Sequence, residues 1–525
     1  MSAPALSARV AASVAAEQLA ALGVEPAVRC EVDFPGPFGL DLPDETAVQA
    51  ACGIMHVHGR ASGRPEGLPV DYASTVAGVL AAQGVLAAEV ARARGARVDA
   101  VRTSVAHAAL LSVQQYLAVA TAEDDFAEQH PAGGRPPLST ADGVRVEIET
   151  LNAEDWQRFW HALGAAGSAV ARGWWPFQQR FATATCALPD ALHEVVRARE
   201  FAEVRAAAAD SGVSVLPVRA DPSHPSGEPP CRLTPIPGRT SRALPEPRSL
   251  PLEGITAVES TRRVQGPVAG HVLRMLGADV VRVEPPGGDP MRGVPPMAGD
   301  VSARFAALNA GKRVVELDIK SPGDRARLRE LVAGAEVFLH NWAPGKACQW
   351  GLDAADLARP GLVYAWASGW GEHFGTAPPL GTDFLAQAHS GLAAALADPP
   401  APSLMTLTDV LGGLLCAQGV LAGLLRRIRT GEGSRVDSSL LSASGTIPRD
   451  RTPRSPYRTV DGFVAVPPDS TELARSCRGL PTAEWVERFA AAGVPATPVR
   501  TDLRALAADL GLGRPAFPPP PWEFS

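Results

Sequence analysis

A chain of 525 residues, 46% hydrophobic and 20% charged, has the length and composition of two or three domains with sizeable cores, not of a disordered protein. Its net charge of −7 arises from acids and bases mixed along the chain, with no basic block to neutralise phosphates, which argues against nucleic-acid binding. The seven cysteines (30, 52, 186, 231, 348, 416 and 477) are scattered and form no Cys-x-x-Cys or Cys/His cluster, so reduced thiols and no metal are expected.

The N-terminal stretch has a weak helical period interrupted by Arg9 and Glu17, unlike a signal peptide. No run of about 20 apolar residues suggests a membrane span, so the expectation is a cytoplasmic protein without membrane partners. Further along, "VAGVLAAQGVLA" (76–87) returns as "LGGLLCAQGVLA" (411–422). Its flanks return in the same order. "VQAACGIM" (48–55) parallels "LAQAHSGL" (385–392), and "RARGARVDAVRTSV" (92–105) parallels "RRIRTGEGSRVDSSLL" (426–441), with Arg-Val-Asp aligned at 97–99 and 435–437. "VRAAAADSGVSVLPVRAD" (204–221) parallels "VERFAAAGVPATPVRTD" (486–502). Four ordered blocks imply an internal duplication. The first copy keeps a long tail segment (142–167) that the second compresses into 461–479.

Residues 220–254 are dense in Pro, Gly and Ser, which end regular structure, and read as an ordered or semi-rigid tether. Beyond it strands and helices alternate: a strand at 254–261, a helix at 267–277 and a strand at 278–286. Then come a strand at 313–319, a helix at 322–335, strands at 336–342 and 362–369, and a long buried helix containing the repeat. Val-rich strands separated by helices predict parallel strands buried on both faces. The fold class is therefore α/β, an open parallel Rossmann-like sheet with a smaller α+β domain. The expected organisation is a partial, degenerate copy (1–219), the linker (220–254), and a fuller copy (255–525) whose sheet domain ends at 445 and whose shortened small domain occupies 446–525.

The segments "VQGPVAGHVLRMLGADVVRVEPPGGDPMRG" (264–293), "LNAGKRVVELDIKSPGDRARLRELVAGAEVFLHNWAPG" (308–345) and "GLVYAWASGWGE" (361–372) resemble the family III CoA-transferases of the CaiB/BaiF group. That group includes formyl-CoA transferase, carnitine CoA-transferase and α-methylacyl-CoA racemase. The resemblance implies transfer of CoA between carboxylic acids, with acyl-CoA and a carboxylic acid as substrates. It also implies an interlocked dimer, which here becomes either a homodimer or a pseudo-dimer within the chain. The family's nucleophilic aspartate corresponds to Asp409 in "LMTLTDVLGG". From spacing alone an N-cap is the commoner role for that residue. At a helix start, unpaired amides favour a carboxylate by about 0.3–1 kcal/mol and offer donors to an oxyanion. Gly412 and Gly413 permit close approach of substrate or of another backbone.

An offset of 335 places Ser74 opposite Asp409, with Asp71 three residues earlier, so the first copy looks chemically retired. The resemblance assigns CoA contacts to Arg262, Arg263, Val264, Gln265 and Gly266, to Leu317, Asp318, Ile319 and Lys320, and to Asn341 and Trp342. Arg292 and Arg313 are further candidate cations; Gln349 and Pro285 depart from the family pattern. The racemase branch's His-Asp pair corresponds to Thr382-Asp383, and its further acid falls near Asn152, so α-proton exchange is disfavoured. A repurposed CoA-ester-binding protein is the main alternative. A dinucleotide oxidoreductase is rejected because the turn from Gly266 to Gly270 lacks the Gly-x-Gly-x-x-Gly fingerprint.

Overall fold

The computed structural model describes residues 8–39, 41–122, 134–224, 229–357 and 359–525. In the first half, strand β1 (Arg29–Asp33) is followed by helices α1 (Glu45–Ala51) and α2 (Tyr72–Arg92), strand β2 (Ala100–Ser104) and strand β3 (Arg145–Glu149). The second half contains β4 (Cys231–Arg239), β5 (Thr256–Ser260), α3 (Gln265–Met275), β6 (Asp279–Glu284), β7 (Arg313–Glu316), β8 (Val337–His340) and β9 (Val363–Ser368). It continues through α4 (Asp383–His389), α5 (Leu407–Thr430), β10 (Glu432–Ser439) and the terminal strand β11 (Glu523–Phe524).

The large sheet has the order β7-β6-β5-β8-β9-β10-β4. Its first six strands are parallel and β4 is antiparallel to β10. Numbered along the chain from β5, the six parallel strands run 3-2-1-4-5-6, the order of a doubly wound dinucleotide-binding sheet. Val280, Val281, Phe338, Leu339, Val363 and Ala365 are buried, which is why these strands read as continuous apolar runs.

The expected tether contains an element of its own. Cys231–Arg239 forms edge strand β4 although it contains Pro235, Pro237 and Gly238; an edge tolerates prolines because one side of the strand has no ladder to complete. Residues 225–228 lie outside the described residues. Arg94 holds the segment that follows, donating to the carbonyls of Pro245, Pro251 and Glu253.

Helices α2 and α5 are long and apolar enough to cross a membrane, contrary to the expectation that no such stretch exists. Both are buried in the protein, in one core cluster that spans the two halves. Tyr72 Oη donates to Leu407 O at 3.0 Å and Gln83 Nε2 to Leu414 O at 2.6 Å.

The same local arrangement occurs around both helices. Glu45 Oε1 accepts from Ala73 N at 2.9 Å and Oε2 from Ser74 N at 2.8 Å, while Asp383 Oδ1 accepts from Thr408 N at 2.7 Å and Asp409 N at 2.9 Å. Gly84 faces Val101 and Gly419 faces Val436, both at an offset of 335. That offset sets Val436 opposite Val101, so the aligned Arg-Val-Asp triplets at 97–99 and 435–437 are three positions out of register. Three extra residues in α5, which runs to Thr430, account for the slip.

Each half carries a small antiparallel sheet. That of the first half (Leu138–Ser139, β3, Ser214–Pro217) lies against α4 of the second, where Arg219 N donates to Ala388 O at 3.1 Å. That of the second (Tyr457–Arg458, Phe463–Ala465, Thr497–Pro498) lies against α1 of the first, where Arg500 N donates to Ala50 O at 2.9 Å.

Candidate active site

Asp409 stands in the first turn of α5, at the seam between the halves. The N-cap, Thr406, has φ 55° and its side chain caps nothing. Capping falls instead to Asp383, the first residue of α4, whose Oδ1 also accepts from Thr408 Oγ1 at 2.6 Å. Gln387 Nε2 reaches the other oxygen. The helix amides expected to be unpaired beside Asp409 are thus engaged: Thr408 N and Asp409 N both donate to Asp383. Gly412 and Gly413 lie deeper in the helix, where their N–H groups face carbonyls four residues earlier. The backbone that approaches Gly413 is that of α3, since a Cβ there would run into the carbonyl oxygen of Gln265.

The Asp409 carboxylate accepts no hydrogen bond from the described residues, in contrast to the four donors on Asp383. Removal from water, then the charge of Asp383, hold the Asp409 pKa well above the usual carboxylate range; Glu149 adds to this and Arg263 opposes it. Burial also raises Asp383, but its four donors favour its anion, so the first negative charge of the pair settles on Asp383 and Asp409 carries the displaced proton. Arg263 has φ 65°, a conformation costly for a residue with a side chain, and stacks 5.0 Å over the Phe181 ring. Two non-glycine residues in the left-handed region therefore flank the nucleophile candidate.

First-half residues approach the same region. Glu149 comes from β3, with Arg180 Nη2 at 3.2 Å from its Oε2. Arg180, 2% exposed, also lies 3.7 Å from Glu147 and over the rings of Phe177 and Phe384. The Tyr72 and Tyr116 hydroxyls are buried and sense the charges of both Asp383 and Asp409. A small enclosed cavity lined by Gln115, Phe181, Arg263, Arg304 and Phe305 adjoins this region.

Sequence reasoning missed Glu149, Glu147 and Arg180. In "RVEIET" the acids alternate with Val146 and Ile148, the pattern of a strand with one solvated face, yet both acids are buried. Asn152, where a further acid was expected, is exposed and donates to Asp155. Thr382 Oγ1 is buried with no hydrogen-bond partner among the described residues.

Of the residues assigned to CoA, Arg262–Gly266 and Asn341–Trp342 meet at the crossover of the large sheet, where β5 and β8 part, while Leu317–Lys320 follow the edge strand β7. Arg262 N donates to Asn341 Oδ1 at 2.9 Å and Asn341 Nδ2 returns to Arg262 O at 2.9 Å, so the two strand ends are clamped together. Gly266 is needed there: a Cβ would meet Thr261 at 2.6 Å. Val264 and Gln265 are buried, Gln265 donating to Ser368 O at 3.1 Å. Trp342 donates to Ser260 Oγ at 3.1 Å and meets Trp350 edge-on. Leu317 is buried, Ile319 half-buried, Asp318 accepts from Lys320 N, and Lys320 is exposed beyond the end of β7. Arg313 starts β7 at the opposite end of the strand and pairs with Asp279 at 2.5 Å, so it is not among the cations near the crossover. Arg292 is engaged by Glu284 at 2.7 Å.

Residues 43–223 and 252–453 each match CoA-transferase family III. The chain belongs to this family. Among its relatives, the acetyl-CoA:oxalate CoA-transferase of Acetobacter aceti is 34% identical over 201 residues, 37% of this chain and 52% of that protein. The succinyl-CoA:glutarate CoA-transferase of Mus musculus is 31% identical over 267 residues, 45% of this chain and 61% of that protein. This family III chain thus spans little more than half the length of these curated relatives. Among solved structures, a CAIB/BAIF family protein from Brucella suis aligns with a TM-score of 0.45 and 26% identity over 51% of this chain and 89% of that one. Rv3272 from Mycobacterium tuberculosis aligns at 0.41 and 26% over 48% and 84%.

Proposed function

We propose that this family III member transfers CoA from an acyl-CoA to a carboxylic acid through Asp409. A carboxylate oxygen of Asp409 attacks the thioester carbonyl and the C–S bond breaks, giving an acyl-aspartyl anhydride and CoA thiolate. The thiolate attacks the aspartyl carbonyl, releasing the donor acid and leaving aspartyl-CoA. The acceptor carboxylate attacks that thioester, expelling the thiolate again; the thiolate then takes the acceptor's acyl carbon and Asp409 leaves as carboxylate. The thioester's activation is conserved throughout. The observation that carries this reading is the Asp409 carboxylate itself: at the seam, without a donor among the described residues, and made more basic by burial and Asp383.

CoA would lie across the crossover at Arg262–Gly266 and Asn341–Trp342, the place where ligands bind in doubly wound sheets. The matching pairs Arg219 N to Ala388 O and Arg500 N to Ala50 O support an internal duplication whose halves exchange their small domains, as in an interlocked dimer. Ser74, the counterpart of Asp409, donates its hydroxyl to Glu45 at 2.6 Å, which supports a single working site.

One observation favours a non-catalytic CoA-ester binder: the Thr408 and Asp409 amides serve Asp383 and are not directed at an oxyanion. Intact-protein mass spectrometry after incubation with acyl-CoAs separates the two. Transfer predicts a CoA-sized, hydroxylamine-labile adduct on the native protein, absent from Asp409→Asn, with turnover lowered on the order of 10⁴-fold in that variant. A panel that yields no adduct while CoA still binds would establish the binder.

A further inference from the structure

At the far end of α5 from Asp409, about 27 Å along the helix axis, Arg427 is 3% exposed. None of its three guanidinium nitrogens has a hydrogen-bond partner among the described residues. The carboxylate nearest it is Glu336, whose Oε1 is 3.8 Å from Arg427 Nη1, beyond hydrogen-bonding range. The same oxygen lies 3.8 Å from Arg242 Nη2, while Glu336 Oε2 is occupied by Thr256 N at 3.0 Å. Arg359 adjoins both arginines and spends Nη1 on the carbonyls of Val332 and Ala335. Arg94, which also feels Glu336, is saturated by the carbonyls of the 245–253 segment.

Arg427, Arg242 and Arg359 thus share the Glu336 carboxylate, an excess of two positive charges among these four groups. The negative end of the α5 dipole offsets a fraction of that. A buried guanidinium with five donors and no acceptor is an unstable arrangement unless a further group accepts from it. Gly361, at φ 78°, lets Thr240 and Arg427 pack closely at this end of the helix: a Cβ there would run into the Thr240 side chain and come 3.2 Å from Arg427 Nε. The side chain of Arg242 is 62% exposed and forms the outer wall.

We propose that Arg427, Arg359 and Arg242 form a binding site for a small multivalent oxyanion, of the phosphate or sulfate class, at the amino ends of β8 and β9. Planar guanidinium forks match tetrahedral oxyanions better than halides. The ion would neutralise the excess charge and fasten the 240–253 segment to the end of α5. The site is separate from the crossover and from Asp409, and its occupancy does not depend on the CoA-transfer reading.

Thermal unfolding and calorimetry of the full chain with sodium phosphate, against sodium chloride at equal ionic strength, test it. Saturating CoA is present throughout, so that phosphate subsites for CoA are filled. The expected result is a saturable rise of several degrees in Tm with phosphate in the millimolar range. In Arg242→Ala, whose side chain is largely solvated, that rise is lost while Tm without phosphate stays close to that of the native chain. Glycerol phosphate distinguishes a phosphomonoester ligand from the free ion: a response equal to that of phosphate identifies the former, and a tenfold weaker one the latter. A phosphate response no larger than that to chloride, or one that persists unchanged in Arg242→Ala and Arg427→Met, would overturn the proposal.

Discussion

Two neighbouring carboxylates set the acid–base behaviour of the seam. Asp383 is held by Thr408, the Asp409 amide and Gln387, and its charge adds to burial in raising Asp409. Nucleophilic attack needs the Asp409 anion, so the rate of adduct formation should climb with pH through a pKa above the ordinary range. Asp383→Asn removes the like charge and should move that rise to lower pH, read from adduct formation against pH in rapid-quench experiments. Glu147 offers a second handle. Burial pushes it from 4.5 to about 7, with Arg180 opposing. A raised carboxyl contributes its full stability below about 4.5 and loses it as pH rises through about 7. Between those values the chain should lose on the order of 1–3 kcal/mol, seen in urea midpoints, and Glu147→Gln should flatten the slope.

Helix α5 owes its position to what its glycines admit. Gly413 lies under the α3 backbone, whereas a Cβ at Gly412 would meet only side-chain ends, the Gln265 amide at 3.0 Å and Leu440 Cδ2 at 3.2 Å. Alanine returns up to about 1 kcal/mol of helix propensity at either position. At 412 that gain offsets a mild contact, so Gly412→Ala should be close to neutral. At 413 the clash is with a backbone carbonyl that cannot swing aside, and Gly413→Ala should cost roughly 3 kcal/mol. Chemical denaturation of the two variants side by side checks the difference. Elements with a plain signal were legible: the strands predicted at 254–261, 278–286, 336–342 and 362–369 occur as Thr256–Ser260, Asp279–Glu284, Val337–His340 and Val363–Ser368. Strand β4 was not legible, because its prolines are tolerable only at an edge, and edge position is settled by the neighbouring strand.

Taken whole, the chain closes on itself through its C-terminus. β11 pairs antiparallel with β2, and Trp522 donates to Leu80 O at 2.7 Å from a niche above Gly84. Trp522 is 6% exposed, so Trp522→Ala should cost about 3–5 kcal/mol. The loss should appear in the unfolding of the first half as well, where β1 and β2 have no other sheet partner among the described residues. Amide exchange in residues 29–33 and 100–104 of the variant is the measurement.

What the sequence by itself determined is local or repetitive: the Val-rich strands, the long buried helix that carries the repeat, the repeated blocks and the aspartate at the start of α5. Each is written in residues adjacent along the chain, where periodicity and turn chemistry act. Which acid caps that helix, which acids from the other half face Asp409, and which arginines converge beyond its C-terminus were decided only by tertiary structure. Glu149 and Asp409 are 260 positions apart, and Arg242 and Arg427 are 185 apart. Charge interacts through space in a low-dielectric interior, and no pattern along one strand or helix records which distant group will occupy that space.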